Sequence, residues 1–186
     1  MFDEEQALDG AMRLFWSSGY EGTSTEELCD ATGLGRSSIY NTFRSKHELF
    51  LKALSRYLDW KANAYLEVLA GDSPARERVH ALLQHAVDHA VKSGRDGCFA
   101  VNTVTERSNR DPEVDALLRA DVARRLAAIR DVLVAGQRAG EVDKSKDPGV
   151  LAEFIDATLA GIHVAARSGR NRRTLQAIAD TAVVAL

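Results

Sequence analysis

The chain has 186 residues, of which 45% are apolar and 27% charged, and its net charge is −3. That usage is globular and excludes the high-charge, low-hydrophobicity regime of disordered chains; the length suits one good-sized domain or two small ones sharing a core. The two cysteines, Cys29 and Cys98, lie far apart and outside any C-x-x-C pair, so neither a zinc site nor a disulfide framework is expected, and a reducing cytoplasm fits best.

The first six residues lack the basic start and apolar run of a signal peptide, and no apolar stretch is expected to reach the ~20 residues that span a bilayer. A soluble, cytoplasmic protein with no membrane partner follows as the expectation. From Glu4 to Ser18, Leu8, Ala11, Met12 and Phe15 recur at helical spacing and Gly19 ends the run. Ser24 and Glu27 have the S-x-x-E form of a capping box, opening a second helix that reaches about Thr32. Gly33-Leu34-Gly35 breaks it, and a short third helix carries Ile39, Tyr40 and Phe43. Two short helices around a glycine-containing turn read as a helix-turn-helix. Ser45 caps a long fourth helix that fades near Gly71, and a fifth follows the turn at 71–74 and stops at Gly94.

The segment 97–106 is β-branched and reads locally as strand as easily as helix; helix is the expectation. Asp111-Pro112-Glu113 opens a helix that runs to Gly140, Asp147-Pro148 opens one that ends at Gly169, and Asn171 caps the last. The expectation is all-α, about nine helices: a three-helix head over 1–47 and a larger helical body over 48–186.

Charge is unevenly placed along this pattern. Gly33–His47 holds Arg36, Arg44 and Lys46 with no carboxylate, whereas residues 1–32 hold eight acids and one arginine. A recognition helix in the major groove meets phosphates on both sides, so carboxylates repel there while cations, hydroxyls and amides can donate. Arg36, Ser37, Ser38, Tyr40 and Asn41 are all capable donors, and with Ile39 and Phe43 turned inward Arg36, Ser37 and the 40–41 pair are left on the outer face. Arg36 suits the guanine edge. Lys46 beside Ser45, and Thr23 with Ser24, stand at helix starts, where free amides can share a phosphate.

The run from Phe15 to Phe50, with Gly19, Tyr20, Thr23, Gly33, Tyr40, Phe43, Lys46 and Leu49 in register, resembles the N-terminal domain of tetracycline-repressor (TetR) family regulators. Residues 97–103, 111–114 and 166–169 resemble one branch of that family, which extends the likeness over the whole chain. The resemblance implies an all-helical homodimer, a DNA-binding head and a body that binds a small effector and changes the spacing of the heads. It also implies phosphate contacts at Thr23, Tyr40 and Lys46, and base or backbone contacts at Arg36, Ser37, Ser38 and Asn41. Two departures stand out: Gly35 replaces a capping serine, and Met1-Phe2-Asp3 lacks the basic arm of many relatives, which points either to weaker binding to double-stranded operator DNA or to a truncated N-terminus.

Two heads reading a two-fold site must be held at a fixed distance, about 34 Å for half-sites one turn apart. Small residues at helical spacing on the last two helices suit that role: Ala157, Ala160 and Gly161 beside Phe154, with Ile178 and Ala182, although plain monomer core is the alternative. An effector pocket between helices four and eight has Trp60, Gln84, His85, Phe99, Asn102, Thr103 and Glu106 as candidate lining. His85 and His89 have metal-ligand spacing, but no neighbouring ligand completes a set, and neither a metal nor a cofactor is expected. Cys98 reads as a buried apolar residue sooner than a redox sensor, and the basic run 167–173 as a solvated loop. With no catalytic motif present, a ligand-responsive DNA-binding regulator, a repressor released by its effector, is the first reading; a helical ligand-binding protein with weak or lost DNA affinity is the rival.

Overall fold

The computed structural model describes residues 4–186, so the reading of Met1-Phe2-Asp3 as a missing arm lies outside the described residues. Nine α-helices and no strand are present among them: α1 (Glu4–Ser18), α2 (Thr25–Thr32), α3 (Arg36–Phe43), α4 (Lys46–Leu69), α5 (Ala75–Ser93), α6 (Phe99–Arg107), α7 (Pro112–Ala139), α8 (Pro148–Arg167) and α9 (Arg172–Val184). Short 3-10 turns at Gly94–Asp96 and Ser108–Arg110 flank α6.

Side-chain caps fix where these helices begin. The Ser24 Oγ accepts the Glu27 amide at 3.2 Å while the Glu27 carboxylate accepts the Ser24 amide at 2.7 Å, a complete capping box. Ser45 accepts from the Glu48 amide, Asp111 from Val114, Asp147 from Gly149 and Val150, and Asn171 from Thr174. Each such cap is worth about 1 kcal/mol. In α6, helix wins over the β-branched composition because Phe99, Ala100 and Thr103 are all buried on one face. The Thr103 hydroxyl donates back to the Phe99 carbonyl at 2.9 Å, so burying it leaves no unmet donor.

The chain divides into two compact units. The first comprises Met1–Trp60 and Cys98–Leu118, the second Lys61–Gly97 and Arg119–Leu186. In the first, Phe15, Leu28, Ile39, Phe43, Phe50, Tyr57 and Phe99 form a closed core. Its rings meet edge to face: Phe15 with Phe50 at 5.0 Å between centroids, Phe50 with Phe99 at 5.7 Å and Tyr57 with Phe99 at 5.5 Å. In the second, α5 packs on α8 and α9, and Leu82, Leu83, Ile129, Leu133, Ile155, Ile162 and Leu175 fill the core.

One helix among the described residues, α8, is long and apolar enough to cross a membrane, contrary to the expectation that no stretch approaches that length. Leu151, Ala152, Ile155, Leu159 and Ile162 instead turn into the second core, which accounts for the helix's apolar composition.

The crossing of α1 and α2 depends on a missing side chain. A Cβ on Gly10 would stand 2.1 Å from the Ala31 carbonyl oxygen, a backbone atom that cannot swing away. Gly10→Ala is therefore expected to cost about 2–3 kcal/mol through forced separation of the two helices, read as a lower melting temperature by circular dichroism. An unchanged melt would show that the two helices do not pack this closely.

Candidate nucleic-acid interface

The outer face of α3 carries the donors expected of it. Arg36, Ser37, Ser38, Tyr40 and Asn41 are exposed, while Ile39 and Phe43 are buried beneath them in the first core. The Arg36 guanidinium lies 6.0 Å from the Tyr40 ring centroid. The Thr25 hydroxyl, followed by Arg36, holds the Tyr40 phenol below its ordinary range, making it a readier hydrogen-bond donor.

The turn into α4 is unusually tight. Arg44 has φ +65° and ψ −46°, and the Ser45 amide donates to the Phe43 carbonyl at 2.7 Å, closing a three-residue γ-turn. Such a conformation costs on the order of 1 kcal/mol in a residue with a side chain. It brings Ser45 directly into position to cap α4, so Lys46 follows α3 with almost no slack. Lys46 is half-buried, its Nζ 4.4 Å from the Tyr20 ring centroid.

Thr23 is 2% exposed, and its hydroxyl donates to the Gly19 carbonyl at 2.6 Å. That side chain braces the α1–α2 turn from within, while Ser24 beside it is exposed.

Much of the head's excess acid is paired. Lys52 reaches Glu4 at 3.3 Å, Arg56 holds Asp9 at 2.6 Å and Glu5 at 3.4 Å, and Arg107 holds Glu21 at 2.6 Å. Exposed pairs of this kind stabilise little. They do shorten the reach of the negative field, because each carboxylate stands beside a cation.

Arg107 and its neighbour Glu106 form the densest polar network in this unit, which sequence spacing does not reveal. Both Glu106 oxygens accept backbone amides of the α1–α2 turn, from Tyr20 at 3.1 Å and Glu21 at 2.9 Å. Both oxygens of Glu106, one of the effector-pocket candidates, are thus engaged in this turn. The Arg107 guanidinium lies 4.4 Å from the Tyr20 ring centroid and reaches Asp111 at 2.9 Å, while His47 at the start of α4 reaches the same carboxylate at 2.8 Å. His47, Asp111 and Glu113 bring possible metal-ligand atoms within 4.8 Å of one another. Of these three side chains, Asp111 accepts from the Arg107 guanidinium.

The remaining pocket candidates fall in both units. Phe99 and Thr103 are buried in the first, Asn102 is half-buried and Trp60 is 53% exposed. Gln84 and His85 belong to the second, where the Gln84 amide and the His80 ring meet at 3.1 Å. Of the residues expected at a dimer contact, Phe154, Ala157 and Gly161 are exposed, Ala160 and Ile178 are half-buried and Ala182 is buried. Phe154, Ile178 and Ala182 line one open groove between α8 and α9 together with Thr158, Thr174, Ala177 and Thr181.

With this geometry in view, the likeness to known proteins is specific. Residues 7–53 match the family model for bacterial regulatory proteins, tetR family, and residues 75–182 match that for the tetracyclin repressor-like, C-terminal domain. The chain is 32% identical to the HTH-type transcriptional repressor ComR of Escherichia coli K12 over 97% of this chain and 87% of ComR. It is 27% identical to the HTH-type transcriptional regulator YezE of Bacillus subtilis over 100% and 96%. Among solved structures, the TetR family transcriptional regulator CifR, a cysteine mutant complexed with 26-bp double-strand operator DNA, superposes with a TM-score of 0.88 at 31% identity, covering 99% of this chain and 97% of CifR.

The network around Asp111 makes the first unit acid-sensitive. Burial alone would raise this carboxyl, which is 6% exposed, but hydrogen bonds from Arg107, the Val114 amide and His47 hold it down at about 2. A carboxyl lower in the fold than in the unfolded chain stabilises above its ordinary value of 3.8 and loses that contribution as pH falls toward 2. Between pH 5 and pH 2 the protein is expected to lose about 2 kcal/mol more than Asp111→Asn does, measured by urea unfolding. Equal losses would remove Asp111 from the account.

Proposed function

Because the chain belongs to the TetR family of bacterial regulatory proteins, we propose that it is a ligand-responsive transcriptional repressor that binds a two-fold operator as a homodimer and is released by a small-molecule effector. Residues 1–47 bind DNA and residues 48–186 bind the effector and dimerise. The observation that carries this reading is the exposed, acid-free face of α3 set on a buried apolar one. CifR on its operator and ComR as a repressor support it by likeness.

In this account Arg36 reads a base edge, Ser37, Ser38 and Asn41 donate to bases or backbone, and Tyr40, Lys46 and Ser24 hold phosphates. Placing α3 in the major groove brings the start of α4 to the flanking backbone, because the γ-turn at Arg44 leaves no slack between them. Dimerisation uses the α8–α9 groove around Phe154 and Ile178, with Ala157, Ala160 and Gly161 allowing close approach. Release follows from population shift: an effector that prefers a dimer with mismatched heads drains the DNA-bound form in proportion to that preference.

The rival, a ligand-binding protein with weak DNA affinity, drew on the acidity of the head; the ion pairs of Glu4, Glu5, Asp9 and Glu21 weaken its motive. Fluorescence anisotropy on duplex from the protein's own promoter, against scrambled duplex at two salt concentrations, separates the two. Selective, salt-weakened binding is expected, and equal weak binding to both duplexes would favour the rival. Arg36→Ala is expected to relax preference at one base pair by about 1–3 kcal/mol. Lys46→Ala is expected to weaken all sites alike and flatten the salt slope by about 0.9. If neither change alters binding, the contact surface is elsewhere.

A further inference from the structure

Three helices of the second unit bring basic side chains together in its interior: Lys61 and Tyr65 from α4, His85 and His89 from α5, and His163 from α8. His163 is 1% exposed and Lys61 7%. The His89 and His163 rings meet edge to face with centroids 5.3 Å apart. His85 stands edge-on to Tyr65 at 5.6 Å, and the Lys61 Nζ lies 5.3 Å from the centroid of that same ring.

An apolar core does not call for this set. Neither nitrogen of His163, nor Nδ1 of His85, has a hydrogen-bond partner among the described residues. A phenylalanine or leucine at 163 would fill a core position without an unmet donor or acceptor. The charged neighbours that push the pair down are basic: Lys61, His85 and Lys92 on His89, and Lys61, His89, Arg125 and His85 on His163. Arg125 has its own acids, Asp121 and Asp156. Burial first, and Lys61 next, push His89 down to about 4 and His163 to about 2, so both rings are neutral at pH 7.

Two kinds of ligand suit buried neutral imidazoles: a metal ion and an acid. The ammonium of Lys61 repels a cation, and among the described residues the His, Cys, Asp and Glu ligand atoms close enough for one ion are those of His47, Asp111 and Glu113, outside this cluster. A carboxylate meets the opposite situation, an ammonium and imidazole N–H donors in a water-poor interior.

We propose that Lys61, His89 and His163, with His85 beside them, form the site for the carboxylate headgroup of an acidic effector. The assignment rests on the ligand-responsive reading above and gives that ligand its chemical class. The carboxylate enters as an anion and accepts hydrogen bonds from the Lys61 ammonium and an imidazole N–H. Its negative charge draws one proton from solvent onto His89 or His163, leaving an imidazolium–carboxylate pair with no covalent bond made or broken. Ligand binding is therefore coupled to proton uptake and strengthens as pH falls from 8 to 6.

The test uses the full-length protein without DNA and a size series of carboxylates (formate, acetate, butyrate, octanoate and benzoate), each against its neutral amide at constant ionic strength. Long-range proton–nitrogen NMR of the imidazoles reports their protonation. At least one carboxylate is expected to move the His89 and His163 signals toward the protonated form while its amide does not. That binding is expected to weaken at least tenfold in both Lys61→Met and His163→Gln, with cooperative melts retained as the folding control. The proposal is overturned if no carboxylate moves these signals, if amides move them equally, or if Lys61→Met leaves the response intact. Stoichiometric zinc binding abolished by His163→Gln would overturn it in favour of a metal site. Operator release is measured separately: carboxylates that bind but never release DNA would sink the effector reading while sparing the site, whereas silent histidines would sink the site alone.

Discussion

Two carboxylate oxygens of Glu106 hold the backbone amides of Tyr20 and Glu21, and the α1–α2 turn takes its shape around that grip. The turn must come close: Gly19 has φ +76°, and a Cβ there would stand 2.8 Å from the Glu106 oxygen. Thr23 closes the turn from within through the Gly19 carbonyl. Arg107, next in sequence, lies on the Tyr20 ring and spans from Glu21 to Asp111, while His47 ties the start of α4 to the same carboxylate. One end of α6 thus fixes the starts of α4 and α7 and the approach to α2. The helix-turn-helix sits on an apolar core, but its orientation is set by a few charge-assisted hydrogen bonds, which are directional where apolar contacts are not.

This arrangement also bears on how an acidic chain can approach a polyanion. Cations on α4 and α6 stand against the acids of α1 and Glu21, while the α3 face bears Arg36 with hydroxyls and an amide. The cations that pair with the head's acids, Lys52, Arg56 and Arg107, are different residues from Arg36 and Lys46, which are proposed to meet DNA, so pairing does not use up the proposed contact surface. In the second unit the logic reverses: basic groups are buried together there, around rings that burial keeps neutral. α4 carries Lys46 near the first arrangement and Lys61 in the second, on one continuous helix.

Local physics made most of the fold legible. Caps at Ser24, Ser45, Asp111, Asp147 and Asn171, and glycines or prolines at the breaks, mark helix ends through contacts only a few residues apart in sequence. The donor face of α3 was legible for the same reason, since burial of Ile39 and Phe43 fixes what the neighbouring positions must face. The segment at 99–107 was ambiguous because burial in a distant core decided between helix and strand. The structural contacts of Glu106 and Thr23 were not legible because they lie in tertiary partners and in burial: Glu106 bonds to a turn some 86 residues away, and Thr23 is buried by the turn it closes. His163 gave no signal, being a lone histidine on an apolar helix whose ring partner His89 lies on α5. The sharp turn at Arg44 was equally hidden, since positive φ in a residue other than glycine leaves no compositional mark.

The orientation of the proposed DNA-reading face by α6 is open to one direct measurement, the affinity of Glu106→Gln for duplex from the protein's own promoter at fixed salt. The change preserves shape but turns one acceptor into a donor facing a backbone N–H, disturbing the turn while leaving every proposed DNA contact in place. A loss of at least tenfold in affinity, about 1.4 kcal/mol, with the far-ultraviolet circular dichroism unchanged, is the expected result. Wild-type affinity in that variant would contradict the account, because the head would then be oriented without the grip of Glu106.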